Sequence, residues 1–480
     1  MSDLSMTSNN GAQKTIPSGL VQAFAQGLRG SLVTPDSADY DTSRTIWNAM
    51  IDKRPGMIVR CAGTADVLHA VRFAKANDLL VAVKGAGHNI AGNAVCNGGL
   101  MIDLSHMKSV RIDPIARRAW VEPGVTLANF DHETQAFGLA TPTGINSTTG
   151  ISGLTLGGGF GWLTRKYGMT VDNLVSANVV TADGRYVTAS TNENPDLFWG
   201  IRGGGGNFGV VTGFEYQLHP VGPEIFAGLI VFPFDQARSL LNQYREFVKT
   251  LPDEANVWAV LRKAPPLPFL PESIHGKEVV VFACFYAGSA TEGEKLIAAP
   301  IRKFGTSAGE FIGPMPYSAW QKAFDPLLAP GARNYWKSHN FTSLSDGAID
   351  IVLDSISHLP SPHCEIFIGL FGGAESRIPE QATAYTNRDA RFIMNVHSRW
   401  ETPQEDKTCI AWARDFFQKA TPYATGGVYV NFMTEEETER IQGGAYKPDV
   451  LSRLTEVKTK WDPTNFFRMN QNIRPLINAD

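Results

Sequence analysis

Three glycine-rich stretches in the first half of the chain restrict its fold more than any other feature of the sequence. The first is Val81-Ala82-Val83-Lys84-Gly85-Ala86-Gly87-His88-Asn89-Ile90-Ala91-Gly92. The second runs from Gly144 to Gly161 (GINSTTGISGLTLGGGFG) and the third from Arg202 to Gly209. Each closes a predicted β unit. Their glycines therefore fall where a backbone takes positive φ or lets a ligand come close. Successive N–H groups in the first loop can form a nest for an anion such as a pyrophosphate, with His88 beside it. The other reading of that loop is a strand–turn–strand with a solvent-facing histidine. In the second stretch the density of Gly, Ser and Thr is expected to exclude a core element and to wrap backbone around a ligand.

Hydrophobic periodicity supplies the surrounding elements. Thr64 to Asn77 is predicted as a helix, with Thr64 as cap, Asp66 in the first turn and Val67, Val71, Phe73 and Ala74 on its apolar face. Strands Gly56–Arg60 and Leu79–Val83 flank it as a β-α-β unit. Gly99–Leu104 follows, then paired strands at Ser109–Ile112 and Arg118–Val121, and a helix over Val125–Phe137. Leu174–Thr181 and Tyr186–Ala189 are expected to pair around Asp183-Gly184. After Pro220 the texture changes. Ile225–Phe232, Val257–Leu261, Glu278–Tyr286, Ala348–Leu353, Glu365–Phe371 and Phe392–Trp400 read as strands, with helices at Phe234–Leu251, Thr291–Phe304, Lys407–Lys419 and Val450–Lys460. This pattern predicts a separate α+β unit on a mostly antiparallel sheet.

At 480 residues the chain is too long for one compact core. Its net charge of -4 leaves no footprint for nucleic acid, and no apolar run or basic helix points to a membrane. The 5 cysteines are scattered, without CxxC spacing, so reduced thiols in a cytoplasmic protein are expected. Met1 to about Lys14 has neither a basic nor an apolar leader region and is expected to be a disordered tail.

Two motif matches fail on context. Gly204-Gly205-Gly206-Asn207-Phe208-Gly209 matches GxGxxG, but Val210-Val211-Thr212 continues as a strand where a Rossmann turn opens a helix. Gly150-Ile151-Ser152-Gly153 lacks the spacing and the preceding strand of a nucleophile elbow. His358, His363 and Cys364 lack metal-ligand spacing. Several glycine loops around one ligand imply a long ligand with a pyrophosphate in the middle. A dinucleotide bound without the Rossmann fingerprint is most often a flavin.

The loop GAGHNIAG, the run GISGLTLGGGFGWLTRKYGMTVDNL, the segment RGGGGNFGVVTGFEY and the ending YVNF…KTKWDPTNFFRMNQNIRP together resemble the berberine-bridge-enzyme-like flavoproteins. These are a branch of the vanillyl-alcohol-oxidase (PCMH-type) FAD-linked oxidases, and the likeness runs from about Trp47 to Pro475. It implies an α+β fold: a two-subdomain PCMH-type FAD-binding domain (residues 18–222) and a substrate domain (223–434) with a large, mostly antiparallel sheet backed by helices. A C-terminal segment (435–480) is expected to return to the FAD domain.

The resemblance also implies roles for particular residues. His88 matches the histidine bonded to the flavin 8α-methyl, and Lys84, Gly85, Ala86, Gly87, Asn89, Ile90 and Gly92 match the pyrophosphate loop. Further FAD contacts are implied for Gly150, Gly153, Leu154, Gly157, Gly158, Gly161, Asp172 and Asn173, and for Gly205, Asn207, Gly209, Val210 and Val211. Asn470 and Asn472 are expected near the flavin. Many members carry a second link from a cysteine whose position here is Asn146, so a single covalent bond is expected. Thr149 matches a position that gates oxygen. Tyr429 matches the catalytic tyrosine; without that match it reads more readily as a sheet tyrosine with a satisfied hydroxyl. With an ordinary pKa of about 10 it needs a cation or hydrogen-bond donors to act as a base.

Strand alternation adds a reading independent of the family. In Phe392–Trp400 the residues Phe392, Met394, Val396, Ser398 and Trp400 share an apolar face expected to pack on helices. Ile393, Asn395, His397 and Arg399 share the other, which faces solvent or a cavity. Some plant relatives use a glutamate near Ile393, absent here, so Asn395 or His397 becomes the candidate for substrate contact. Tyr335 and Lys337 lie in a segment that lines the same cavity in relatives. The implied activity is oxidation of a hydroxyl or amine on a small molecule by hydride transfer to covalent FAD, with O2 as acceptor and hydrogen peroxide as product. A dehydrogenase with another acceptor and a catalytically degenerate flavin-binding protein are the alternatives. Substrate identity and oligomeric state are not legible.

Overall fold

The computed structural model describes residues 2–476, and three larger sheets carry its architecture. Met1 and residues 477–480, the extremes of the expected tail and C-terminal segment, lie outside the described residues. Strands Met57–Arg60, Leu100–Asp103 and Val81–Lys84 run parallel, with Ser31–Val33 antiparallel at one edge. Their near-continuous apolar runs are what a sheet covered on both faces requires. Helix Thr64–Ala76 crosses over and buries Val67, Ala70, Val71 and Ala74. Thr64 does not cap it: the N-cap is Gly63, without a side-chain bond. The Asp66 carboxylate instead accepts from the N–H groups of Arg29, Gly30 and Ala62 at 2.8–2.9 Å, tying the preceding turn down.

The second sheet is antiparallel, in the order Tyr186–Ser190, Leu174–Val180, Val210–Gln217, Arg118–Val121, Val110–Asp113. Phe198, Phe208, Phe214 and Tyr216 fill its core together with Tyr446, Val450, Leu454, Trp461 and Ile473, so residues near the C-terminus pack on this sheet. The third sheet has seven antiparallel strands: Gly309–Pro316, Glu224–Pro233, Glu278–Tyr286, Ala255–Lys263, Glu365–Leu370, Phe392–Trp400 and Arg333–Phe341. Helix Asp406–Ala420 backs it; Ser398 Oγ donates to the Cys409 carbonyl and Trp400 Nε1 to Asp406. The apolar face of Phe392–Trp400 thus meets a helix.

Four further expectations need correction. Residues 4–16 are not a disordered tail: Leu4–Thr7 and Gln13–Ile16 form a hairpin that buries Leu4, Met6 and Ile16, with Gly11 at φ +90° in its turn. Asn10-Gly11 is a hairpin signal in its own right. Ala348–Leu353 lies in helix Asp346–Ile356, where Ser345 caps the Ala348 N–H and Ala348, Ile349, Val352 and Ile356 are buried at helical spacing. The β-branched run misleads there, and the cap decides. Strands Gly309–Pro316 and Arg333–Phe341 were not expected; they form the two edges of the seven-stranded sheet, where prolines and polar residues are tolerated. Inside the glycine-rich 144–161 stretch, Ile151–Leu156 is a short helix with Ile151, Ser152 and Thr155 buried, so that stretch does contribute to a core.

The seven-stranded sheet is held against the rest by buried polar bonds. Arg165 donates to the carbonyls of Ala255 (2.8 Å), Phe371 (2.7 Å) and Leu251 (3.1 Å). Asn48 exchanges bonds with the Asn334 backbone, and Asp325 accepts from Ser147 N (2.9 Å) and Oγ (2.6 Å). The sheet is therefore a fixed roof. Among the described residues no helix is long and apolar enough to cross a membrane.

Candidate active site

A cavity of about 280 Å³ opens between the glycine loops and the face of the seven-stranded sheet. From the first loop Gly85, Ala86, Gly87, His88 and Asn89 line it; from the second Thr149, Gly150, Gly153 and Leu154. Gly205, Asn207, Gly209, Val210 and Val211 line it from the third, and Asn470 from the C-terminal segment. Tyr429 and His397 close the sheet side. Trp47, Trp258, Trp336 and Phe432 line it too, and sequence reasoning assigned none of them to the site.

The remaining expected residues support the wall from behind. Lys84 Nζ donates to the Ser43 carbonyl (2.8 Å) and lies 3.2 Å from Asp103, so its charge is spent beneath the loop. Ile90 is buried behind the wall, and Gly92 packs on Ile51. Gly157 packs on Asn431, Gly158 on Tyr385 and Tyr429, and Gly161 on the Thr143 carbonyl. Asp172 is paired with Arg388 at 2.7 Å. Asn173 donates to the Tyr167 and Met169 carbonyls, and Asn472 is half-buried, with an amide oxygen that meets no partner among the described residues. Asn207 reaches the wall, but its amide holds the Gly204 and Gln471 carbonyls and the Ile473 N–H.

The cavity suits an FAD. Among the described residues no charged side chain lines it, so no carboxylate repels a diphosphate. The N–H groups of Ala86, Gly87, His88 and Asn89 donate to no protein acceptor among the described residues. Gly87 has φ +78°, and a Cβ on Gly85 would lie 2.4 Å from Ser152 Oγ, so backbone alone forms this part of the wall. Asn470 faces Gly206 from across the cradle.

His88 stacks on Trp47 with ring centroids 4.9 Å apart, and its Nε2 lies 2.8 Å from Thr148 Oγ1. The Thr148 hydroxyl donates to Asn146 Oδ1 (2.8 Å), so it accepts from His88 Nε2–H. That leaves Nδ1 as the free lone pair. Burial, aided by the Arg399 cation, holds the imidazole down at about 3. The ring is thus neutral at working pH, as a nucleophile must be.

Tyr429 Oη accepts from Gly159 N–H and Asn431 Nδ2–H, both at 2.9 Å. Donors are present, but no cation accompanies them. Burial outweighs their pull and pushes the phenol up to about 12. Ionising it at neutral pH costs about 7 kcal/mol at 1.36 kcal/mol per pH unit. Tyr429 is a proton donor toward the cavity and a poor free-standing base.

On the roof, Trp336, His397, Glu365 and Arg262 form one row across four strands. His397 Nδ1 lies 3.1 Å from Glu365 Oε1, and Arg262 lies 2.6 Å from Glu365 Oε2. Burial opposes ionisation of Glu365, yet Arg262 and His397 outweigh it and hold the carboxyl at about 2. A carboxylate only accepts, so Nδ1 donates to it; in the neutral imidazole Nε2 then carries the lone pair, and that atom is buried with no partner among the described residues. Asn395 is fully buried, with both amide atoms unpartnered among the described residues, but it does not reach the cavity wall. Tyr335 and Lys337 point to the other face, where Glu436 bonds both; strand parity gives the cavity Trp336 instead.

Comparison with known proteins agrees with this geometry. Residues 55–190 match a family of FAD binding domains, and residues 428–474 match the family described as berberine and berberine like. An FAD-linked oxidoreductase of Dictyostelium discoideum is 30% identical over 97% of this chain and 99% of its own length. The (R)-6-hydroxynicotine oxidase of Paenarthrobacter nicotinovorans is 29% identical, covering 93% of this chain and 97% of that protein. The crystal structure of 6-hydroxy-D-nicotine oxidase from Arthrobacter nicotinovorans superposes with a TM-score of 0.83 at 29% identity, over 94% of this chain and 98% of that one.

Proposed function

Because this chain belongs to the berberine-bridge-enzyme-like FAD-linked oxidoreductases, we propose that it is an oxidase of a small organic alcohol or amine. For a secondary alcohol the overall reaction consumes one molecule of substrate and one of O2 and releases one ketone and one hydrogen peroxide. We place the FAD on His88 by one covalent bond, with Asn146 where a second link would start. The cavity supports this reading more than any other observation: it is walled by glycine and free of charge, with a neutral imidazole and open N–H groups at one end and Tyr429 and His397 at the other. The division of the chain near residues 222 and 434 belongs to the same proposal. So does a cytoplasmic setting, supported by five buried free thiols.

Bound FAD supplies a two-electron acceptor that takes up a hydride. The protein does the rest. The Ala86–Asn89 N–H groups would hold its diphosphate, and Trp47 stacks on the His88 ring and orients it. The Tyr429 hydroxyl, its two acceptor positions filled by Gly159 and Asn431, donates to the substrate oxygen and fixes it. Phe432 and Trp336 meet edge-on at 5.4 Å and exclude water from that end. Thr149 leaves room for oxygen.

Peroxide formation across a panel of alcohols and amines tests the proposal. An oxidase yields one peroxide per carbonyl formed. Slow reoxidation in air after anaerobic reduction would place the chain among dehydrogenases instead.

A further inference from the structure

Beside the main cavity lies a second, smaller one of about 70 Å³, between the sheet face and the segments 264–270 and 324–328. Ile145, Trp258, Leu328, Phe367 and His397 line both, so the two are adjacent and share these side chains as a common wall. Val231, Val260, Leu267, Leu270, Val281 and Ala283 wall the slot farther in. Apart from aromatic and aliphatic side chains, its wall contains only the row Arg262–Glu365–His397. Within that row Arg262 is paired with Glu365, and the buried polar atom without a partner among the described residues is His397 Nε2, on the wall that the two cavities share.

We propose that His397 takes the hydroxyl proton of the substrate and that the slot receives an apolar substituent on the carbon being oxidised. The substrate is then an uncharged hydrophobic alcohol. This inference rests on the oxidase reading for its electron acceptor. The O–H proton goes to Nε2, the carbinol C–H bond breaks with its hydrogen and electron pair leaving together as hydride, which bound FAD would accept, and the C=O bond forms. His397 later returns its proton, and this proton together with the hydrogen and electron pair of the hydride converts O2 to hydrogen peroxide.

Three observations favour this substrate class. A sugar placed in the slot would leave its hydroxyls without partners among Val260, Leu267, Leu270 and Val281, a cost of several kcal/mol in general terms. A cationic amine would meet Arg262 in the slot wall, whose partner Glu365 is already paired with it, and would feel the nearby charge of Arg399 as well. At 70 Å³ the slot holds a short branched alkyl group or the edge of one ring. Glu365 and Arg262 touch no substrate and are positioning residues: they fix the tautomer that leaves Nε2 free. The charged groups facing His397 are Glu365 and Arg262 across the sheet and Arg399 along its own strand.

The test uses the flavin-loaded enzyme with two probe sets. Acetone and 4-methyl-2-pentanone are titrated by their perturbation of the flavin spectrum; 2-propanol, 4-methyl-2-pentanol, 1-phenylethanol and glucose are assayed for flavin reduction. The branched ketone should bind more tightly than acetone, and the branched alcohol should reduce the flavin fastest relative to its concentration. Ala283→Leu, or Leu267→Phe from the loop side, should raise the Kd of the branched ketone about tenfold with unchanged flavin content. Glu365→Gln should slow reduction by about 100-fold at unchanged KM and move the acidic limb of the pH profile, with partial rescue in Glu365→Asp. Preference for glucose, no ketone binding, or a pH profile unmoved in Glu365→Gln overturns the inference. Ketone binding that is lost in Ala283→Leu, with no alcohol reducing the flavin, keeps the slot but removes the His397 step and the oxidase reading.

Discussion

Replacing Lys458 with methionine asks how the far wall of the cavity is held. Lys458 and Asp462 are both fully buried, one helical turn apart, with Nζ 2.6 Å from Oδ2. Nζ also donates to the Asn207 carbonyl at 2.7 Å, and Asp462 accepts from the N–H groups of Phe466 and Phe467 at 2.7 and 2.8 Å. The pair thereby joins helix Pro448–Trp461 to the third glycine loop and to the segment that carries Asn470. Methionine keeps the length of the side chain and strands the carboxylate. Removing one partner of a buried pair costs about 3–5 kcal/mol. At about 2–4 °C per kcal/mol for a large domain, the melting temperature should fall by roughly 10 °C. Thermal unfolding followed by circular dichroism, with flavin occupancy read from the visible spectrum, measures both consequences. Lys458→Met/Asp462→Asn should recover most of the loss, since no charge is left unpaired and an amide oxygen still accepts from the backbone. A single variant within about 2 °C of wild type, on the same scale, refutes this reasoning, as does a double variant no better than the single one.

Other predictions concern the cavity itself. Thr148→Val removes the acceptor that fixes the His88 tautomer, about 1 kcal/mol of bias, so attachment of FAD should slow several-fold and acid-extractable flavin should rise. Because His88 is held at about 3, attachment in wild type should be flat from about pH 5 to 8, where an ordinary histidine of pKa about 6.5 would lose nucleophile as pH falls. Tyr429→Phe should slow anaerobic flavin reduction about 10- to 100-fold with little change in substrate binding; equal rates would remove the hydroxyl from the mechanism. Burial pushes Glu375 up to about 8, against the pull of Arg388. The folded state then holds a proton that the unfolded state has lost, so this contribution is complete below about pH 4.5 and fades as pH rises toward 8. Glu375→Gln should flatten that decline in denaturant titrations across the window; an unchanged slope would show that Glu375 is ionised.

The cofactor end was legible because glycine spacing is a backbone property. Gly85, Gly87, Gly150 and Gly205 reach the cavity wall where their pattern put them. The substrate end was only half legible. Alternation in Phe392–Trp400 brought His397 to the wall, but not the fact that Asn395 on the same face is sealed behind it. Tyr335 and Lys337 were one residue out of phase, since an edge strand as polar as Arg333–Phe341 gives no apolar face from which to set parity. Glu365, Arg262 and Trp336 gave no local signal, because only cross-strand register places them beside His397. Tyr429 was found by likeness, while its high pKa is a consequence of burial that no motif encodes.

The central claim is that His88 carries the flavin, and acid precipitation of the purified protein tests it most directly. Wild type should give a yellow pellet and a colourless supernatant, with the peptide containing His88 heavier by one FAD, while His88→Ala should release all its colour. Yellow supernatant from wild type, with an unmodified His88 peptide, would contradict the account.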